Sequence, residues 1–113
     1  MRIRRHFTLA AGLLAMVLPA LAVTNEEIAK MRQAMPDKPV VQPERPRRML
    51  VFSLCKGFNH SSIPYWAKAL DIMAEKTGAF AVEHSTDMSV FTPETLSRFD
   101  AVCFNNTTHL TFD

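Results

Sequence analysis

Three short polar runs in this 113-residue chain each follow an apolar run and carry side chains able to do chemistry. Asn59, His60, Ser61 and Ser62 form the first, Ser85, Thr86 and Asp87 the second, and Asn105, Asn106, Thr107, Thr108 and His109 the third. Apart from two imidazoles and one carboxylate, the set is amides and hydroxyls, which both donate and accept hydrogen bonds. Each hydroxyl of a polyhydroxylated or carbonyl-bearing ligand needs both kinds of partner, so the set suits such a ligand better than a nucleotide diphosphate. His60 adds an imidazole, a side-chain type fit for a general acid or base or for a ligand-binding donor. Turns are polar for structural reasons too, and each of these residues has a second reading as a cap, an Asx-turn or a solvated loop.

Other chemistries fit less well. His60 and His109 could join Asp87 around a metal, but their spacing matches no compact zinc motif, and neither a metal nor any other cofactor is expected. The chain has three glycines, Gly12, Gly57 and Gly78, too few for a dinucleotide fingerprint or a Walker motif. Cys55 and Cys103 sit in or at the end of apolar runs, where an unpaired thiol behaves as a small buried hydrophobe. Export would permit a disulfide between them, but bridging needs a specific geometry, and neither lies in the context of an activated nucleophile.

The polar runs require elements that bring them together. Met49 to Leu54 is an almost continuous apolar stretch, the pattern of a strand buried on both faces. Ile63, Trp66, Ala67, Leu70, Met73 and Ala74 then repeat at helical spacing, with Ser61 or Ser62 to cap, Pro64 in the first turn and Gly78 at the exit. Ala79 to His84 reads as a second strand. Thr92-Pro93-Glu94 starts a short helix reaching Ser97 or Arg98, with Leu96 and Phe99 to cover a sheet, and Ala101 to Phe104 is a third strand. Alternation of strands and helices predicts an α/β fold: a flavodoxin-like parallel sheet with flanking helices, the first strand central, and three strands present. All three polar runs then follow strand ends at one edge of the sheet, where open α/β sheets bind ligands.

Upstream, Arg2, Arg4 and Arg5, an apolar run from Phe7 to Leu18 and Ala20-Leu21-Ala22 compose a secretory signal, expected to be cleaved after Ala22. The paired arginines fit a twin-arginine as well as a general secretory route, and the protein is expected to be exported, periplasmic or extracellular. Membrane attachment would come only through an uncleaved signal, whose apolar run falls short of the roughly 20 residues of a spanning helix. Three of the 13 basic residues and none of the 11 acidic ones precede residue 23, leaving 10 against 11 and a formal charge of −1. No nucleic-acid partner is implied. Residues 23–46 read as a short helix from Thr24 to Met35, capped by Thr24 and Glu27 and stable only if docked, followed by a linker or strap with Pro36, Pro39, Pro43 and Pro46.

Residues 47–113, and chiefly the runs Arg48 to Ser53, Gly57-Phe58-Asn59-His60-Ser61-Ser62-Ile63, Phe91 to Leu96 and Phe99 to Thr108, resemble the opening of the ThuA-like (trehalose utilisation) family. Members are similar in fold to class I glutamine amidotransferases. The resemblance implies a domain of carbohydrate metabolism acting on trehalose, a keto-sugar or a glycoside as hydrolase or lyase, and not as a glutaminase. It implies that His60 and the turn from Asn105 to Thr107 lie near the site. His60 is then expected to be the catalytic acid or base, or a substrate donor, and Asn59, Ser61, Asn105, Asn106 and Thr107 to bind a small carbohydrate. Family domains continue through a further glycine-rich strand, turn and helix, so the chain is expected to hold the N-terminal part only. The alternatives are a non-catalytic sugar-binding module and an inactive truncated fragment. A three-stranded sheet of this size leaves faces and edges open, which predicts a partner segment, a homo-oligomer or low stability alone.

Overall fold

A computed structural model describes residues 22–112; the signal segment expected at residues 1–22 falls, except for Ala22, outside them. The described elements run α1 (Asn25–Ala34), β1 (Arg48–Phe52), α2 (Ile63–Thr77), β2 (Ala81–Ser85), a single 3-10 turn (Met88–Val90), α3 (Pro93–Leu96) and β3 (Ala101–Phe104). The architecture is α/β, a three-stranded parallel sheet flanked by helices in the order β2-β1-β3, consistent with part of a flavodoxin-like fold. The strand read as central is central. Leu50, Val51 and Phe52 of β1 are at most 1% exposed, as its unbroken apolar run requires.

Register decides which face each residue takes. Leu50 pairs with Glu83 and Val102, and Phe52 with Ser85 and Phe104, so these share one face; Val51, His84 and Cys103 share the other. His84 Nε2 lies 2.7 Å from Asp71 Oδ1 of α2, which assigns α2 to the Val51 face. Arg98 reaches Glu83 and Phe91 packs on Phe52, which assigns the 3-10 turn and α3 to the Phe52 face. Two right-handed crossovers travelling in opposite directions from and past a central strand must lie on opposite faces, and these do.

The helices begin and end where their sequences allow. Thr24 and Glu27 form the capping box of α1, with Thr24 N–H donating to Glu27 Oε2 at 2.8 Å. Thr92 caps α3, and Gly78 closes α2 at φ 62°, a left-handed conformation that glycine adopts without penalty. Ser62 occupies the N-cap position of α2 but its side chain makes no cap hydrogen bond, because its own backbone is already helical. The strands are displaced slightly from the sequence reading. β1 ends at Phe52 because the chain beyond Ser53 turns toward the loop after β3. β2 starts at Ala81 because Ala79 N–H is still held by Thr77 Oγ1 at 3.2 Å.

On α2 the buried residues are Ala69, Leu70 and Ile72, and Trp66 is 48% exposed, although its spacing suggested the covered stripe. The offset has a cause: α1 docks on α2 as well. Tyr65 Oη donates to Glu27 at 2.8 Å, and Arg32 donates to both oxygens of Glu75 at 2.9 and 2.7 Å, so α2 is covered from more than one side. The proline segment after α1 is held at both ends, by Lys76 on Asp37 (2.9 Å) and by Arg45 and Arg47 on Asp100, and acts as a strap. Among the described residues no helix is long and apolar enough to cross a membrane.

Candidate functional site

At the edge where the strands end, the ladder continues one residue past β1 on both sides. Ser53 N–H donates to Ser85 O at 3.0 Å, and Asn105 N–H donates to Phe52 O at 2.8 Å. Asn105 is 2% exposed, and its Nδ2 donates to Ser53 Oγ at 3.2 Å and to the carbonyl of Ile63 at 3.0 Å. One buried amide therefore ties the ends of β1 and β3 to the first residue of α2. Both Nδ2 hydrogens are used within the protein. Among the described residues Oδ1 accepts no hydrogen bond.

The next residues fold the β3 turn against the β1 turn. Asn106 takes φ 56° and His109 φ 55°, left-handed conformations that asparagine tolerates better than most residues. Thr108 O accepts from Lys56 N–H at 3.2 Å and from Gly57 N–H at 3.0 Å, and Thr108 Oγ1 lies 3.1 Å from Cys55 Sγ. The approach is close enough that a Cβ on Gly57 would stand 2.8 Å from Thr108 Oγ1 and 3.1 Å from His109 Nδ1. Asn106 Nδ2 stands 3.5 Å from Ser62 Oγ, a long contact joining the same two turns. Cys55 and Cys103 are both free thiols and half-buried, Cys55 also donating to Phe58 O at 3.2 Å.

His60 lies exposed in the β1 turn, its carbonyl accepting from Ile63 N–H at 3.2 Å and its ring edge-to-face with Phe58 at 4.6 Å between centroids. Among the described residues the imidazole makes no hydrogen bond or ion pair, and Asn59 and Ser61 are exposed beside it without side-chain partners. Thr107 is half-buried in the β3 turn. The polar run after β2 is engaged locally instead. Ser85 Oγ accepts from Asp87 N–H at 3.0 Å, and Asp87 Oδ1 accepts from Ser89 N–H at 2.9 Å to cap the 3-10 turn. Hydrogen bonds from Ser89, its backbone N–H first and then its side chain, hold the Asp87 carboxyl below its ordinary range. The turns after β1 and β3 are thus brought together, while among the described residues the one after β2 joins them through the Ser85 carbonyl.

Beside the joined turns lies an open cleft of 210 Å³ lined by Trp66, Phe104, Asn105 and Asn106. Phe104 is 50% exposed and belongs to a cluster in which it stacks on Phe91 at 5.7 Å and meets Phe112 at 6.3 Å. Two asparagines of this lining come from the residues singled out by type; Trp66 and Phe104 do not. A tryptophan one turn into the helix that follows the polar run was the available signal, masked by its place in an apolar periodicity. Among the described residues no charged side chain lines the cleft, so these residues offer amide donors and acceptors beside aromatic surface and no fixed charge for a phosphate. Comparison of the chain with models of protein families, with curated proteins and with solved structures finds no significant match.

Proposed function

We propose that residues 47–112 belong to a ThuA-like domain of an exported protein of carbohydrate metabolism, and that the cleft beside Asn105 and Asn106 recognises a neutral polyhydroxylated ring. The observation that carries this reading is the buried Asn105 amide, fixed by two hydrogen bonds at the rim of a cleft whose other walls include Trp66 and Asn106. A fixed amide presents a hydroxyl with a preorganised partner, and an indole face covers the apolar side of a sugar ring. The volume of 210 Å³ lies below the roughly 300 Å³ at which pockets for larger ligands begin, which suits one ring better than a disaccharide. The β2-β1-β3 order with β1 central also agrees with the fold that the family resemblance implies.

Binding is the primary reading and catalysis the second. A general base is normally oriented by a third group, and among the described residues the His60 ring, edge-to-face with Phe58, has no hydrogen-bond partner. What favours the second reading is that His60 belongs to the turn joined to the cleft through Gly57 and Thr108. One experiment separates them: titration calorimetry of the chain against a panel of monosaccharides, keto-sugars and glycosides, with product analysis of the same mixtures. Trp66→Ala is expected to weaken binding at least tenfold, the scale of losing about 1.5 kcal/mol of aromatic contact, with an unchanged far-ultraviolet circular dichroism spectrum. Product formation that His60→Ala lowers by about 10² would establish the catalytic reading. Absence of heat with every sugar overturns both.

A further inference from the structure

Four arginines gather at the opposite edge of the sheet, where the strands begin. Arg45 and Arg47 both reach Asp100 Oδ1, Arg47 at 3.1 Å. Arg48 and Arg98 both set an Nη2 on the same oxygen of Glu83, Oε2, at 2.8 and 3.1 Å. The Phe99 ring fixes the second pair further, each guanidinium carbon lying 5.5 Å from its centroid. All four side chains are between 40% and 61% exposed.

The charges do not balance locally. Four permanent cations meet two carboxylates, and Asp100 is already filled, since its Oδ2 accepts the Arg48 backbone N–H at 2.9 Å. Glu44, next to Arg45 in the chain, is exposed and pairs with none of the four among the described residues. A guanidinium carries five N–H donors in a planar fork, and Arg48 and Arg98 each commit only Nη2 to the protein among the described residues. Two such forks share the single negative charge of Glu83 beside one aromatic ring, which leaves a net positive charge and unspent donors on both. Tetrahedral phosphate oxygens match that geometry, because arginine binds them through paired, charge-assisted hydrogen bonds.

We propose that this arginine edge binds a phosphate oxyanion between Arg48 and Arg98, either a free phosphate or the phosphodiester headgroup of a lipid surface. The site lies at the other end of the strands from the cleft of Asn105 and Asn106 and is independent of what that cleft binds. The test is calorimetric titration of the full chain with inorganic phosphate and pyrophosphate at low salt, and co-sedimentation with phosphatidylcholine vesicles with and without phosphatidylglycerol. Saturable binding is expected, weakening as sodium chloride is added because exposed charges are screened. Arg98→Gln is expected to lower affinity about tenfold, the scale of one hydrogen bond between charged groups. Arg48→Gln should do the same, and Arg98→Lys, which keeps the charge without the fork, should recover only part. Circular dichroism of each variant reports whether it is folded. Titration by free phosphate assigns a soluble ligand, and sedimentation with anionic vesicles alone, lost in Arg98→Gln, assigns the headgroup. No binding to either, or binding that both glutamine variants leave unchanged, overturns the proposal.

Discussion

Gly57 and Gly78 separate two reasons for a glycine. Gly78 stands at φ 62° with nothing within 4 Å of where a Cβ would be, so alanine there meets only the left-handed penalty of about 1–2 kcal/mol. Gly57 has an unstrained backbone but no room, its Cβ position lying 2.8 Å from Thr108 Oγ1 and 3.1 Å from the His109 ring. Alanine there must displace the Thr108 and His109 side chains of the β3 turn, at the cost of about 1–3 kcal/mol typical of overpacking. The two variants should therefore look alike in thermal stability and differ at the cleft. Trp66 is the only tryptophan of the chain and reports on that cleft directly. Gly57→Ala is expected to shift Trp66 emission and increase its quenching by acrylamide, and Gly78→Ala to leave both as they are. Equal spectra for the two would mean that the contact between turns does not shape the cleft.

The same contrast applies between elements. A ten-residue helix such as α1 is marginal in isolation, and its last carbonyls have no partner within it. Lys76 of α2 supplies a partner for one of them and for the residue that follows the helix: its side chain is 14% exposed and its Nζ donates to Arg32 O and Met35 O, both at 2.6 Å, and pairs with Asp37 at 2.9 Å. A cation at the negative end of a helix dipole is favourable in addition. Lys76→Met keeps the apolar stem and removes these partners, at a cost of about 2 kcal/mol for hydrogen bonds from a charged donor. Hydrogen exchange of α1 and the strap should accelerate while β1 stays protected, whereas Lys30→Met, at an ion pair with Glu26 that is more than 70% exposed on each side, should change neither. Elements whose signals are local were legible in the sequence: the apolar run of β1, the Thr24 box, the Thr92 cap and the Gly78 exit. Lys76 was not, because helical spacing says which residues share a face and not which element covers it. Trp66 was misassigned for that reason. Asn105 was legible as a polar residue at the site, but its structural bonds depend on Ser53 and Ile63, more than 40 positions away.

For the whole molecule, the strap, β1 and β3 meet at Asp100. Its carboxylate accepts the Arg48 backbone N–H at 2.9 Å and the guanidiniums of Arg45 and Arg47, and these bonds, the Arg48 amide foremost, lower its pKa from 3.8 to about 2. A carboxyl with a depressed folded-state pKa stabilises the fold fully above its unfolded value and loses that contribution as pH falls through the folded one. For Asp100 the window therefore runs from about pH 4 down to about pH 2. Glu27, held by Thr24, and Glu75, held by Arg32, are lowered as well and add the same sign on the α1 side. Asp100→Asn keeps the shape and removes the charge that three arginine groups address. At neutral pH the variant should melt below the parent chain. As pH falls through the window the parent's melting temperature should drop more steeply, so the gap narrows and is smallest near pH 2. A gap that stays constant from pH 7 to pH 2 would show that the Asp100 charge does not couple the strap to the sheet. Arg45→Gln and Arg47→Gln extend the argument, because each removes one donor and should move the acid limb toward higher pH without abolishing it.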